Sequence, residues 1–457
     1  MAESVRYSFT GGTPGGLLLG LGPARVAVMG VSLAGAAALL YSRVTPVASV
    51  GLVAVATAWC FLPLGGRPVH QWSGPALRHG WAVAAGARHW RAGIRDLRAL
   101  EDAPGRVGVA LPSELGRLQL WRDDTAGVEQ VLAVERAAGG VGVTAVFAVG
   151  GVDRFALLDP TEQARLVSLW GDVLASMGPA QELRRLCWVE RGEPEGTVPG
   201  IDWMAERWAD APPGDRDHYL ALGQQIASAG VTHTVHLGAQ VEVRTGDVEE
   251  AINRAAPAWR LLASRLAGSG LIATPLGVAS LGSLIRSHYD MDAPRYAARA
   301  GRTPALSLRL QSRRTAWDHL RADDTFHRSY LVSAWPRVPV GPAWLEPLLL
   351  CAPPGAARSL AVHLEAVDAP VAMRRARAAR LAAAMDDTQR SRLGFVSGAG
   401  HLRAREEADA REEELVSGFA EHRAGAVVTV SAGSLSELDA SCREVRAAAT
   451  AARMELR

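Results

Sequence analysis

The first 65 residues carry a hydrophobic pattern unlike that of the rest of the chain. Val26–Tyr41 reads VAVMGVSLAGAAALLY and Val47–Leu64 reads VASVGLVAVATAWCFLPL, and neither run holds a charged side chain. Ser42-Arg43-Val44-Thr45-Pro46 separates them. A helix rises about 1.5 Å per residue, so such runs approach the roughly 30 Å of a hydrocarbon layer. Pro46 suits a first helical turn, where its missing N–H would bond nothing anyway. The pattern predicts a transmembrane helical hairpin within residues 1–66, with helices over about 26–41 and 47–64. A cleaved signal peptide fits less well, because a second apolar run follows at once. A hairpin buried in a soluble core should show a polar face, and these runs have none. Arg6 and Arg25 precede the hairpin, Arg67, Arg78, Arg88, Arg91, Arg95 and Arg98 follow it, and the loop holds only Arg43. This asymmetry predicts a multi-pass protein of the cell membrane with both termini cytoplasmic.

Residues 67–105 read as a juxtamembrane amphipathic linker, with Trp72, Trp81 and Trp90 set among arginines and small apolar residues. Tryptophan and arginine together suit a headgroup layer, where rings are half wet and cations meet anionic lipid. Arg25, Arg43, Arg67, Trp72, Trp81 and Trp90 are therefore the candidate membrane anchors, with the lipid bilayer as partner. A linker helix packed on the following domain is the competing reading. The Gly11–Gly16 segment, GGTPGG, follows no buried strand and lacks a Lys-Ser/Thr ending, so it is not a phosphate loop.

From residue 106 onward strands and helices alternate. Val107–Leu111 and Leu118–Trp121 are short strand candidates, and Val141–Val149 is a stronger, β-branched one. Asp159-Pro160-Thr161-Glu162 is a helix start, followed by Leu166, Leu169, Trp170, Val173, Leu174 and Met177 at helical spacing. Arg185–Glu190 returns as a strand, and a Pro/Gly-rich loop, Gly192–Gly200, follows. Helices are expected around Trp203, Met204 and Trp208 and over 217–229, 247–267 and 276–288; strands are expected over 231–243 and 328–334. The last hundred residues repeat this alternation. Strands fall at 359–367 and 425–431, residues 371–418 are helical with a break near 394–400, and Ser434 with Glu437 opens a final helix. The expected fold class is a membrane-anchored α+β protein: an N-terminal transmembrane helical hairpin, then two α+β subdomains, ferredoxin-like or split βαβ, over 106–257 and 258–457.

Composition narrows the chemistry. The chain has 457 residues and a formal net charge of +2, so no direct nucleic-acid binding is expected. All 49 basic residues are arginine, a bias that fits codon usage in a GC-rich genome. Without lysine there is no P-loop ATPase, Schiff base or pyridoxal chemistry. Cys60, Cys187, Cys351 and Cys442 show no paired spacing and read as reduced thiols. His233 and His236 stand three apart on an expected strand, hence on opposite faces, which disfavours a shared metal. Glu406, Glu407 and Glu412–Glu414, interleaved with Arg403, Arg405 and Arg411, read as ion-paired helix surface, as does the run Arg374, Arg375, Arg377 and Arg380. Trp203, Trp208, Trp335 and Trp344 are candidate interface anchors, with the core as the competing reading. No catalytic, metal-ligating or cofactor-binding residue is expected.

A set of segments carries a resemblance: the hairpin with Gly65-Gly66-Arg67 after it, Phe155–Pro160, Cys187–Glu190, Tyr289-Asp290, Trp335-Pro336-Arg337, and Arg411–Leu415 before Gly418. In that order and spacing the chain resembles a family of actinobacterial membrane proteins encoded with conjugation or type IV secretion-like gene sets. The head is similar to the small two-helix inner-membrane subunit of such machines. The remainder is similar to the N-terminal, non-motor domain of their traffic ATPase. The resemblance implies a non-enzymatic scaffold that docks a separate ATPase and other membrane subunits, possesses no motor of its own, and forms a homo-oligomer. A membrane subunit of a type VII-like secretion system is the alternative. A membrane-bound enzyme with an unrecognised site is the third reading.

Overall fold

The computed structural model describes residues 23–41, 46–64, 67–91, 118–123, 129–137, 139–151, 158–175, 183–194, 231–291, 310–392, 399–418 and 420–457, with isolated positions between them. By their contacts they fall into two compact units. One holds the described residues within 90–369 and 420–457, the other those within 23–89 and 370–418.

The second unit is helical. It contains α1 (Pro23–Tyr41), α2 (Pro46–Phe61), α3 (Val69–Ala84), α8 (Ala369–Arg392, whose first residue belongs to the other unit) and α9 (Ala399–Val416). Pro63–Leu64 (β1) pairs with Arg67–Pro68 (β2) between α2 and α3. The helical hairpin forms, but the expected membrane spans do not: among the described residues no helix is long and apolar enough to cross a membrane. The physical reason is length. The 16 residues of α2 rise about 24 Å, short of the roughly 30 Å required. Arg25 stands in the first turn of α1, leaving an uncharged run of similar length. The transmembrane keywords and the multi-pass membrane location rested on two spans, and both are corrected with them. On α8 and α9 the expected charge runs pair between helices: Arg380 reaches Asp409 and Glu412 at 2.9 Å, and Arg377 approaches Glu412 at 3.4 Å.

The first unit is built on a 13-stranded sheet in which every pairing described is antiparallel. Its strands are β3 (His89–Arg91), β4 (Gln119–Asp123), β5 (Gln130–Ala137), β6 (Gly140–Gly150), β7 (Leu183–Pro194), β8 (Val231–Val243), β9 (Ile272–Pro275), β10 (Ser312–Thr315), β11 (Leu320–Ala322), β12 (Thr325–Ala334), β13 (Ala356–Ala366), β14 (His422–Ala432) and β15 (Glu455–Leu456). The order is β3-β10-β11-β12-β14-β13-β7-β8-β6-β5-β4, with β15 on β12 and β9 on β6. The helices of this unit are α4 (Pro160–Ala175), α5 (Val248–Gly268), α6 (Val278–Tyr289), α7 (Glu346–Leu349) and α10 (Leu435–Ala451).

Two halves of the sheet mirror each other. In one, β6-α4-β7-β8-α5-β9 gives the order β9-β6-β8-β7; in the other, β12-α7-β13-β14-α10-β15 gives β15-β12-β14-β13. The halves meet where β7 pairs with β13, from Arg358 opposite Gly192 to Glu365 opposite Arg185. This corrects the expectation of two separate subdomains. A single hydrogen-bonded ladder runs through both, because neither half ends on an unpaired edge at the seam.

Local chemistry explains the elements. Asp159 Oδ1 accepts hydrogen bonds from the backbone N–H groups of Thr161 and Glu162 and starts α4. Ser434 caps α10 through Glu437 N, and Asp247 caps α5 through Glu249 N. Along α5, Val248, Ala251, Ala255, Trp259, Leu262 and Leu266 form a buried stripe at helical spacing that lies on β6 and β8. Gly140 opens β6 at a φ of +146°, and a Cβ there would strike the Val243 carbonyl oxygen, so the tight β5–β6 turn requires glycine.

The sheet's two faces differ. One carries Leu186, Leu237, Ala239, Val241, Val143, Leu360 and Val428 under α4, α5 and α10, in two apolar clusters. The other is covered in part by α6, through Leu281, Leu284 and Ile285 against Val131 and Val146. Its remaining positions include polar residues such as Arg191, His236, Ser359 and His363, with Val189, Leu331 and Val427 among the apolar ones.

Candidate functional site

In the helical unit the hydrophobic surface points outward. α1 and α2 pack closely, so that a Cβ on Gly35 would come within 3.2 Å of Leu52, and Ala36, Ala56 and Cys60 are buried. Val31, Leu40, Val47, Val50 and Val55 are exposed. On α3, Ser73, Ala76, Leu77, Gly80, Trp81 and Ala84 recur at intervals of three and four and share one helix face. That spacing usually marks a face turned to a core. Here the face lines a shallow groove of about 590 Å³, with Leu77 74% and Trp81 78% exposed. Apolar surface spread over three successive helices marks an interaction site.

The expected anchor residues disperse. Arg25 lies with its guanidinium carbon 5.7 Å from the centroid of the Phe61 ring. Arg43 lies outside the described residues, as does the side chain of Arg67, whose backbone belongs to β2. Trp72 is half-buried and donates its indole N–H to the Leu64 carbonyl at 2.8 Å, fastening α3 to β1. Trp81 alone stands open to solvent on the apolar groove, and Trp90 sits half-buried in β3. Of the candidate interface tryptophans, Trp203 and Trp208 lie outside the described residues. Trp335 and Trp344 meet edge to face at 6.2 Å beside the second apolar cluster and serve packing.

The sheet carries polar groups that sequence reasoning missed. Glu190 on β7 receives Nη1 of Arg358 at 2.5 Å and Nη2 at 2.8 Å, and its Oε1 lies 2.8 Å from His233 Nδ1. Arg358 is fully buried and donates further to the carbonyls of Leu349 and Cys351. Burial would raise the Glu190 pKa, but the bonds from His233 and Arg358 outweigh it and hold the carboxyl below its usual range. The sequence did contain a signal. Glu190 follows Leu186 and Trp188 at alternate positions, so it falls on the apolar parity of its strand.

The opposite face carries Cys187, whose Sγ lies 3.8 Å from His363 Nε2. Burial pushes this thiol up to about 11, so it stays protonated at neutral pH. A thiol in that state is not an activated nucleophile. His233 and His236 project to opposite faces, His233 toward Glu190 and His236 toward α6. Among the described residues no group of three or more metal-ligating side chains converges. No protein-family model matches the chain, and no curated protein matches it.

Proposed function

We propose that this chain is a non-enzymatic scaffold subunit of a type IV secretion- or conjugation-like machine that docks a separate ATPase. The reading joins the resemblance of its sequence segments to one structural observation, the outward-facing apolar surface of α1, α2 and α3. That surface suits an apolar helix of a partner subunit, seated in the groove where Leu77 and Trp81 supply the bulk. Attachment runs through this docking, since no described helix is long and apolar enough to serve as a membrane span. The continuous sheet supplies the rigid body on which the ATPase is held.

The test is affinity purification of the full chain from its native cells, with quantitative identification of co-purifying proteins. A traffic ATPase and further subunits of the machine should be recovered. Leu77→Asp and Trp81→Asp should deplete the partner subunit while the circular dichroism of the chain stays unchanged. Recovery of neither an ATPase nor another subunit overturns the reading.

A further inference from the structure

Arg191 is the second deeply buried arginine of the sheet, 2% exposed, and it faces away from Arg358. Its Nε donates to Glu193 Oε1 at 2.8 Å, but its buried Nη2 has no hydrogen-bond partner among the described residues. His236 Nδ1 is likewise buried without a partner among the described residues. The two belong together: Arg191 lies opposite Thr234 and Val189 opposite His236, so Arg191 and His236 are diagonal neighbours on one face of β7 and β8. The end of α6 closes over them. His327 on β12 places its Nε2 3.0 Å from the Tyr289 carbonyl and its Nδ1 2.8 Å from Ser431 Oγ. A carbonyl only accepts, so Nε2 carries the proton and Ser431 donates to Nδ1. His288, on the last turn of α6, is half-buried, and its titration is influenced by Arg191, His236 and His327. The carboxylates near this end of α6, Asp290 and Asp323, are already engaged by Arg286, at 2.6 Å and 2.5 Å. Glu193 is thus the carboxylate described against Arg191.

Two orphaned buried nitrogens, one of them cationic, side by side under a helix end, form a deficit of acceptors. Leaving such donors unmade costs more than a typical hydrogen bond returns. We infer that Arg191 Nη2 and His236 Nδ1 form a binding site for a small oxyanion, phosphate or carboxylate, between α6 and the sheet. An oxyanion accepts from Arg191 Nη2 and from His236 in its Nδ1–H tautomer, and the guanidinium fork suits its geometry. Burial holds His288 and His327 neutral at pH 7, at about 3 and about 4. Both stay neutral between pH 6 and pH 7.5, so Arg191 supplies the positive charge for the anion over that range.

The test uses the full chain, titrated with inorganic phosphate and with acetate at constant ionic strength set by sodium chloride. Imidazole NMR signals and thermal midpoint are followed at pH 6 and pH 7.5. The expected result is a saturating shift of the His236 and His288 signals and a midpoint that climbs with anion concentration at both pH values. Saturation by phosphate alone, or by acetate alone, identifies which oxyanion the site accepts. Arg191→Gln should abolish saturation. His236→Phe, which keeps a ring of similar bulk, should weaken binding about tenfold and keeps the question answerable if the arginine variant misfolds. No saturation by either anion, or equal saturation in His236→Phe, overturns the site and leaves those donors to water.

Discussion

Arg358 lies diagonally across from Glu190 at the seam between β7 and β13, and both of its terminal nitrogens bond the carboxylate, at 2.5 Å and 2.8 Å. The pair fastens the two halves of the sheet at a point 168 residues apart in sequence. A buried pair of this kind is costly to break from one side, because the surviving charge is stranded. Arg358→Met should therefore destabilise the sheet unit by about 3–5 kcal/mol. Glu190→Leu combined with Arg358→Met should cost clearly less than the sum of the two single changes. The double variant still leaves the Leu349 and Cys351 carbonyls without their donor, so it does not return to full stability. Urea unfolding of the three variants checks this. Additive single effects would show that the pair does not act as a unit.

Gly192 stands directly opposite Arg358. A Cβ at that position would come within 2.6 Å of Arg358 Nη2. The end of an arginine normally gives way, but this one is held by Glu190 and two backbone carbonyls. Gly192→Ala is expected to cost about 1–3 kcal/mol through overpacking. Gly238→Ala makes the control, since its Cβ would meet Cys187 Cβ at an ordinary 3.7 Å. That substitution should be neutral or stabilising by up to about 1 kcal/mol. Thermal unfolding of both variants decides the matter; equal midpoints would refute the steric account.

Acid should loosen the end of α6. His288 and His327 are held neutral chiefly by burial, with Arg191 adding to it; for His327 the Tyr289 carbonyl and Asp290 act in the other direction. Their folded values of about 3 and about 4 lie below the ordinary histidine value near 6.5. A depressed base contributes stability that is complete above the unfolded pKa and is lost as pH falls toward the folded one. Between about pH 6 and pH 4 the unfolded chain binds these protons and the native chain does not. Stability should then fall by about 1.4 kcal/mol per pH unit for each group. Glu190, held low, adds its own loss only below its unfolded value near 4.5. His327→Gln should reduce the slope of unfolding free energy against pH in this window. An unchanged slope would remove His327 from the account.

Much of the ladder was legible because strands and helices here obey their periods. The expected strand over 231–243 is observed over that span, and the Asp159 and Ser434 helix starts act as caps. Gln130–Ala137 passed unnoticed: its Glu-Arg-Ala ending broke the strand pattern, yet Val131, Leu132 and Val134 are buried. Continuity between the halves was not legible, since it depends on β7 choosing β13 across a long separation. The pairing of Glu190 with Arg358 was hidden for the same reason: the parity of Glu190 marks it as facing the core, but its partner lies 168 residues away. The N-terminal runs misled in the other direction. Their lack of charge suggested a span, and their length decided against it.

Cys187 and His363 offer the sharpest test of an enzymatic alternative. They are opposite residues on β7 and β13, and Sγ lies 3.8 Å from Nε2, a separation a thiol–imidazole couple could use. Burial nevertheless pushes the thiol up to about 11, whereas catalytic cysteines are shifted downward by cations or helix termini. With Cys60, Cys351 and Cys442 replaced by serine, alkylation by iodoacetamide should be slower at pH 7.5 than that of an ordinary thiol, roughly a hundredfold or more, because only the thiolate reacts. The rate should keep climbing through pH 9 without a plateau. A plateau near neutrality, abolished by His363→Gln, would instead mark an activated nucleophile and turn the reading of this face from structural to catalytic.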